Sequence, residues 1–381
     1  MADAIEWVED PDWAKLAAAR TLAEVAVARM PGAAGAWKNL ILAQKRMGKM
    51  AEAQETIARA SVAIGGDRTA RKAFLAALLE LEEYERALAE GEALTADDDA
   101  VRALLRDAAI RSNRLGPAEC RVLMQQDYTV NQAWGAARDA GDLSRLVAQC
   151  RAELAENPIH TDARFILAHA LAKLGADAAA RATMAIDVFP RIAMLDGDGE
   201  TGAALASELR VNPTLVQDPH NKATRDGLQA ARIGLPGEPA VKALLARIKG
   251  AIERYCASVD GIDDPYMAAR PARAKLSSWA VIYGAAGRQS PHRHPGGWLS
   301  GVYHVSAPHD ADGYRGALLL GEPDQRLGKA PPWPVRRVAP VPGRLVLFPS
   351  FTPHATESCG AAGERISVAF DVIPFEAKAT P

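Results

Sequence analysis

The stretch Gln289–Val305, QSPHRHPGGWLSGVYHV, decides how this chain is read. Two histidines, His292 and His294, stand two residues apart between prolines, and a run of strand-forming residues follows at once. In an extended chain residues i and i+2 point to the same side, so both imidazoles face one way and Arg293 the other. Five of the chain's 8 histidines (His292, His294, His304, His309 and His354) fall in its last quarter. Neutral imidazole is the commonest protein ligand for metals and is available near pH 7.

Around this stretch lie short apolar runs: SWAVIYG (278–284), WLSGVYHV (298–305), GALLL (316–320), RLVLF (344–348) and RISVAFDV (365–372). Gly- and Pro-rich segments such as AAGRQSP (285–291) and KAPPWPVRRVAPVPG (329–343) punctuate them as turns. That pattern argues for an all-β sandwich or barrel. His354 follows the run 344–348, so a barrel can return it beside His292 and His294. Along 365–372, strand alternation places Arg365, Ser367, Ala369 and Asp371 on one face, with Ile366, Val368 and Phe370 behind them.

The front of the chain is rich in alanine and leucine and has a different period. With Ala34 as position 1, Trp37, Leu40, Gly48, Met50, Ala53, Ile57 and Ala60 fall at positions 4, 7, 15, 17, 20, 24 and 27. This resembles the 34-residue tetratricopeptide pattern. A second unit starts at Arg68, with Phe74, Tyr84 and Ala87 in place. A further pair starts at Asp127 and Thr161, the latter placing Leu167, Gly175, Ala180 and Met184. Residues 102–126 match poorly and read as a degenerate unit. Small residues let helices approach, and stacking neighbours completes a core that one hairpin cannot bury. Between the two zones, Val241, Leu244, Leu245, Ile248, Ile252 and Tyr255 recur at helical spacing. The expected domains are a helical repeat domain at 1–190, a connecting and supporting helical region at 191–275, and a β core at 276–381.

Bulk properties exclude several classes. The 381 residues are 49% hydrophobic and 24% charged, with a formal net charge of −2 and both signs interspersed. No nucleic-acid footprint and no polybasic membrane patch stands out. No run reaches the length of a membrane span, and the first residues carry no secretory signal pattern. Cys120, Cys150, Cys256 and Cys359 are far apart and read as free thiols of a reducing cytoplasm.

The composite of His-x-His, a distant His, and Arg eleven residues later with Ser two further on resembles the iron- and 2-oxoglutarate-dependent oxygenases. WAVIYG, PHRHPGGWLSGVYHV, GRLVLFPSFTPHAT and ERISVAFDVIP, with NKATRDGLQAARIG upstream, are similar to a bacterial branch of that family. This branch is loosely related to prolyl hydroxylases and often carries tetratricopeptide repeats. The resemblance spans roughly residues 210–374. It implies a fold class of α plus β, multidomain: an N-terminal α-helical tetratricopeptide-like solenoid, then a double-stranded β-helix (jelly-roll) barrel with supporting helices. It implies Fe(II), 2-oxoglutarate and dioxygen, and a hydroxylation coupled to oxidative decarboxylation to succinate.

Carried over, His292 and His354 match the two histidine iron ligands. Arg365 matches the cation that grips the far carboxylate of 2-oxoglutarate, Ser367 its hydroxyl partner, and Tyr283 is a candidate third contact. The usual triad has a carboxylate two residues after the first histidine, and here that residue is His294. Either His294 is the third ligand, or it stands behind the ligands, or Asp310, Asp312 or Glu322 completes the set. His304 is expected to be a satisfied barrel histidine, and His309 a solvated loop residue. Trp298 and Trp333 line either a substrate pocket or the core, and Arg293 is a surface or substrate contact. The substrate expected is a peptide or protein side chain held by the repeats. The alternatives are a small-molecule hydroxylase, a scaffold with a degenerate barrel, or repeats that pair two copies into a homodimer.

Overall fold

A computed structural model gives the architecture. It describes residues 4–8, 13–81, 83–92, 94, 101–102, 104–105, 142–195, 199–217, 223–308, 313–323, 327–360 and 363–375. The chain divides into two compact units, Pro11–Ala140 and Met1–Asp10 together with Gly141–Pro381.

The first unit is helical: α1 (Trp13–Arg29), α2 (Ala34–Arg46), α3 (Met50–Ala63), α4 (Arg68–Glu80) and α5 (Tyr84–Glu92). Helices α2 and α4 start 34 residues apart, as do α3 and α5, at the period read from the sequence. Gly48 closes the α2–α3 turn with φ +72°, a conformation a side chain would strain. Ala53 and Ala60 are fully buried, and Trp37, Leu40, Ile41, Ile57, Phe74 and Leu78 fill the space around them. Of the remaining expected repeat, Asp127 and nearly all of 102–126 lie outside the described residues.

The second unit opens with α6 (Leu143–Glu156), α7 (Thr161–Lys173) and α8 (Asp177–Met184). The period assigns this stretch to the repeats, yet it packs in the unit of the sheet. The reason lies in α7, of whose 13 residues all but Asp162 and Lys173 are buried. A helix buried on every side must be enclosed by more than one hairpin partner. Next come α9 (Gly199–Arg210), α10 (Pro239–Val259) and α11 (Pro265–Ala268). Helix α10 buries Val241, Leu244, Ile248, Ile252 and Tyr255, the stripe expected from the sequence, while Leu245 is half-buried.

The strands are β1 (Glu6–Trp7), β2 (Arg191–Met194), β3 (Leu215–Gln217), β4 (Thr224–Ala230), β5 (Arg273–His292), β6 (Leu299–Ser306), β7 (Leu318–Leu320), β8 (Arg336–Val338), β9 (Arg344–Pro349), β10 (His354–Thr356) and β11 (Arg365–Pro374). They join in the order β2-β9-β6-β11-β5-β10-β7-β8, with β1 and β4 also on β5. The first part of β5 pairs with β11 from Ala274 to Tyr283, and its end pairs with β10 at Gln289 and His292. One strand thus serves two four-stranded arms, β9-β6-β11-β5 and β5-β10-β7-β8, which is a jelly-roll order.

AAGRQSP, expected to be a turn, lies inside β5. The ladder with β4 shifts register between Arg225 and Gly227 instead of ending. At Gly287 a Cβ would stand 2.6 Å from the Tyr283 Cβ, so only glycine lets the chain bend this tightly. Strands β8 and β10 have three residues each, too few for alternation to show in sequence. Val302, Leu318, Leu320, Val338, Val346, Phe348 and Ala369 fill the interior, with Trp279 against them. Among the described residues no helix is long and apolar enough to cross a membrane. Cys150, Cys256 and Cys359 are buried and unbridged, and Cys120 lies outside the described residues.

Candidate active site

The end of β5 and the start of β10 pair in antiparallel register, with His292 opposite His354. His294 follows two residues after His292, and the loop returns to β6. The three imidazoles converge: one ring nitrogen from each lies within 4.8 Å of the others. Their ring centroids are 4.2 to 5.1 Å apart.

Hydrogen bonds settle which nitrogen each ring offers. His292 Nδ1 is 2.8 Å from Ser290 O, and His354 Nδ1 is 3.0 Å from Thr352 O. A carbonyl only accepts, so these Nδ1 atoms carry the proton and Nε2 keeps its lone pair. His294 Nδ1 is 2.6 Å from Asp371 Oδ1, which also accepts from Ser300 Oγ at 2.6 Å. Ser300 in turn lies 2.8 Å from Ser350 Oγ. Three rings tied at Nδ1 and open at Nε2 form the donor set that metal-binding histidines present. Burial, with the neighbouring His294 ring adding to it, pushes the His292 pKa down to about 4, and burial pushes His354 well below its usual value. Both are therefore neutral at pH 7, as ligands must be.

Of the carboxylates named as alternatives, Glu322 is not in the cluster, and Asp310 and Asp312 lie outside the described residues. The carboxylate that the fold brings to the site is Asp371, behind His294. Sequence reasoning placed Asp371 on the face of Arg365 and gave it no role. Its strand parity was the available signal.

Arg365 opens β11 opposite Tyr283 and is 1% exposed. Its Nε and Nη1 have no hydrogen-bond partner among the described residues. Its Cζ lies 5.7 Å from the Tyr283 ring centroid. Burial lowers its pKa from the usual arginine value. Ser367 is buried two residues on and pairs in register with His304 of β6.

His304 corrects an expectation. It is fully buried, and neither ring nitrogen has a partner among the described residues, so it is not a satisfied core histidine. Burial, with the charges of Arg365 and Arg344, holds its pKa well below the usual value. His304 and Arg365 are thus two unsatisfied groups in one region. Desolvated donors left unpaired cost about 1–3 kcal/mol each, and an anion would relieve both.

Other expectations resolve simply. Trp298 and Trp333 are core residues, their indole N–H groups donating to Tyr266 O at 3.2 Å and Gly321 O at 2.9 Å. Arg293, expected to be a surface or substrate contact, is partly buried and paired with Asp162 at 2.7 Å. His309 lies outside the described residues.

Residues 277–371 match the family model described as "Putative 2OG-Fe(II) oxygenase". The matched segment runs from β5 to β11, about a quarter of the chain, and contains the three histidines, Arg365 and Ser367. Among solved structures, a Pseudomonas putida prolyl-4-hydroxylase is similar at 18% identity and a TM-score of 0.35, over 49% of this chain and 94% of that one. A Trichoplax adhaerens prolyl hydroxylase, solved with a hypoxia inducible factor oxygen degradation domain peptide fragment, is similar at 13% identity and a TM-score of 0.36, over 53% and 90%. HygX from Streptomyces hygroscopicus, solved with nickel and 2-oxoglutarate, is similar at 13% identity and a TM-score of 0.34, over 49% and 83%. No curated protein sequence matches the chain.

Fe(II) and 2-oxoglutarate are the cofactor and co-substrate of this oxygenase family, and the residues present fit both. The histidine cluster can hold the metal. The buried Arg365 guanidinium, with Nε and Nη1 lacking a partner among the described residues, suits a carboxylate, which its planar fork meets with two parallel hydrogen bonds.

Proposed function

We propose that this chain is an Fe(II)- and 2-oxoglutarate-dependent oxygenase that hydroxylates a peptide or protein side chain. One observation carries the reading: three histidines open at Nε2 share a barrel with a buried arginine whose Nε and Nη1 have no hydrogen-bond partner among the described residues. In this reading His292, His294 and His354 hold the metal, and Arg365, Ser367 and Tyr283 hold the co-substrate. When bound, the iron and 2-oxoglutarate supply oxidative decarboxylation to succinate and carbon dioxide, with dioxygen as oxidant and a hydroxyl delivered to a C–H bond.

The chain's own residues do the rest. Ser290 O, Thr352 O and Asp371 keep the three rings in one tautomer and orientation. The carboxylate absent from the position after Arg293 returns one step further out, so the charge that the usual triad gives the metal directly is supplied here through His294. Trp279, whose ring lies 5.3 Å from that of His294, and Phe348, 4.8 Å from that of His354, keep water off the rings. Arg365 orients the far end of the diacid, so its reacting end meets the metal in one pose.

The 34-residue spacing of the α2–α3 and α4–α5 hairpins supports a repeat domain that holds the substrate chain. So does a groove of about 650 Å³ in that unit, lined by Val27, Pro31, Trp37, Arg59 and Val62. Held there, one chain would meet the iron at a raised local concentration.

The test is anaerobic Fe(II) loading with metal analysis, then succinate release with candidate peptides. His292→Ala and His354→Ala should each lose iron and turnover. Unchanged iron content in both variants would falsify the assignment. Iron binding with no succinate release under any condition would leave a scaffold with a degenerate barrel.

A further inference from the structure

One helix outside the barrel grips both loops that carry the histidines. The first turn of α7 makes three contacts with the His292–His294 loop. Thr161 Oγ1 donates to Pro295 O at 2.7 Å. Asp162 Oδ1 accepts from Arg293 Nε at 2.8 Å and Nη2 at 2.7 Å. The Arg293 guanidinium also lies over the Phe165 ring, 4.3 Å from its centroid. Two residues after Asp162, Arg164 reaches the other loop. It forms a two-pronged pair with Asp264 at 2.8 and 2.7 Å, and its Cζ stands 4.6 Å from the ring centroid of Phe351, three residues before His354.

Arg293 sits between two candidate ligands and points away from them, by the alternation that makes His292 and His294 face the same side. Holding its side chain from behind restricts rotation of that segment about its own axis. A metal site tolerates only a few tenths of an ångström in donor position, so such rotation matters more here than in an ordinary loop. The Arg293 and Asp162 side chains are 18% and 13% exposed, so solvent screens the pair weakly. The stacked Phe165 ring fixes the guanidinium plane as well.

We infer that α7 is a working part of the metal centre, with Arg293, held by Asp162 and Phe165, as a positioning residue that aims His292 and His294 at His354. This rests on the three histidines binding a metal. It also makes the α6–α8 stretch a component of the oxygenase unit, not a detachable repeat.

The test titrates the full chain with Co(II) alone, without oxygen, following its visible absorption band and the thermal midpoint of the metal-free protein. Arg293→Met should weaken Co(II) binding ten- to a hundredfold, the usual loss for a group that orients ligands, and should shift the band. Arg293→Lys should recover part of the affinity, because charge returns without the planar fork. A purely structural role would lower the midpoint while affinity and band stayed as in the wild type, and that result overturns the proposal. Should Arg293→Met fail to fold, Asp162→Asn, of nearly equal volume, is judged by the same readings. Loss of the metal reading itself is distinguishable: wild type and His354→Ala would then bind Co(II) alike.

Discussion

The two ends of the barrel interior are built on the same strands and are left in opposite states. At the histidine end each Nδ1 has a partner, and Asp371 of β11 accepts two hydrogen bonds. At the other end Arg365 of β11 and His304 of β6 keep donors and ring nitrogens unpartnered among the described residues. Folding satisfies nearly all buried polar groups. One end is therefore finished by the protein except for three lone pairs that suit a cation. The other is unfinished in a way that suits an anion. In the proposed reading a metal-chelating diacid would bridge the two, so the difference fits one reaction.

The largest expected effect comes from removing the cation. Arg365→Ala should raise the 2-oxoglutarate Kd a hundredfold or more, from a loss of roughly 3–5 kcal/mol when one partner of a buried pair is deleted. The metal-free protein should not lose thermal stability in proportion, since Nε and Nη1 of that guanidinium have no hydrogen-bond partner among the described residues to lose. Calorimetric titration and a melting curve test both halves. A Kd equal to wild type would remove the diacid from this end.

His304→Leu should weaken 2-oxoglutarate by about ten- to a hundredfold, the range for one hydrogen bond to a charged group. His304→Gln, which keeps a donor, should lie between. If Leu and Gln variants both bind like wild type, the unpartnered imidazole has another purpose.

The smallest and most gradual effect is on pH. His292 has a folded pKa of about 4, below its unfolded value near 6.5, and that of His354 is also lowered. As pH falls, the unfolded chain takes up protons first. Stability that is complete above about pH 6.5 is therefore lost as pH falls toward 4, at up to about 1.4 kcal/mol per pH unit for each histidine. Urea midpoints of the metal-free protein at pH 7.5 and 5 should differ, and by less in His292→Gln. Equal differences in the two proteins would show that this imidazole is not desolvated.

Much of the site was legible because it rests on short-range parity. His292 and His294 share a side, as do Arg365, Ser367 and Asp371, because alternation along an extended chain is local. Strands β5, β6, β7, β9 and β11 showed as short apolar runs, and the starts of α2 and α4 followed from the period. What sequence could not decide depends on partners far along the chain. That the carboxylate behind His294 is Asp371 follows from the pairing of β6 with β11, which sets Ser300 opposite Asp371. The His304 ring is left without a hydrogen-bond partner among the described residues by an interior assembled from strands β5, β6 and β11. Helix α7 carries a repeat-like spacing, yet Asp162 meets Arg293 and Arg164 meets Asp264, 131 and 100 residues away. Local spacing says which side a residue faces, and only the packed chain says what it meets there.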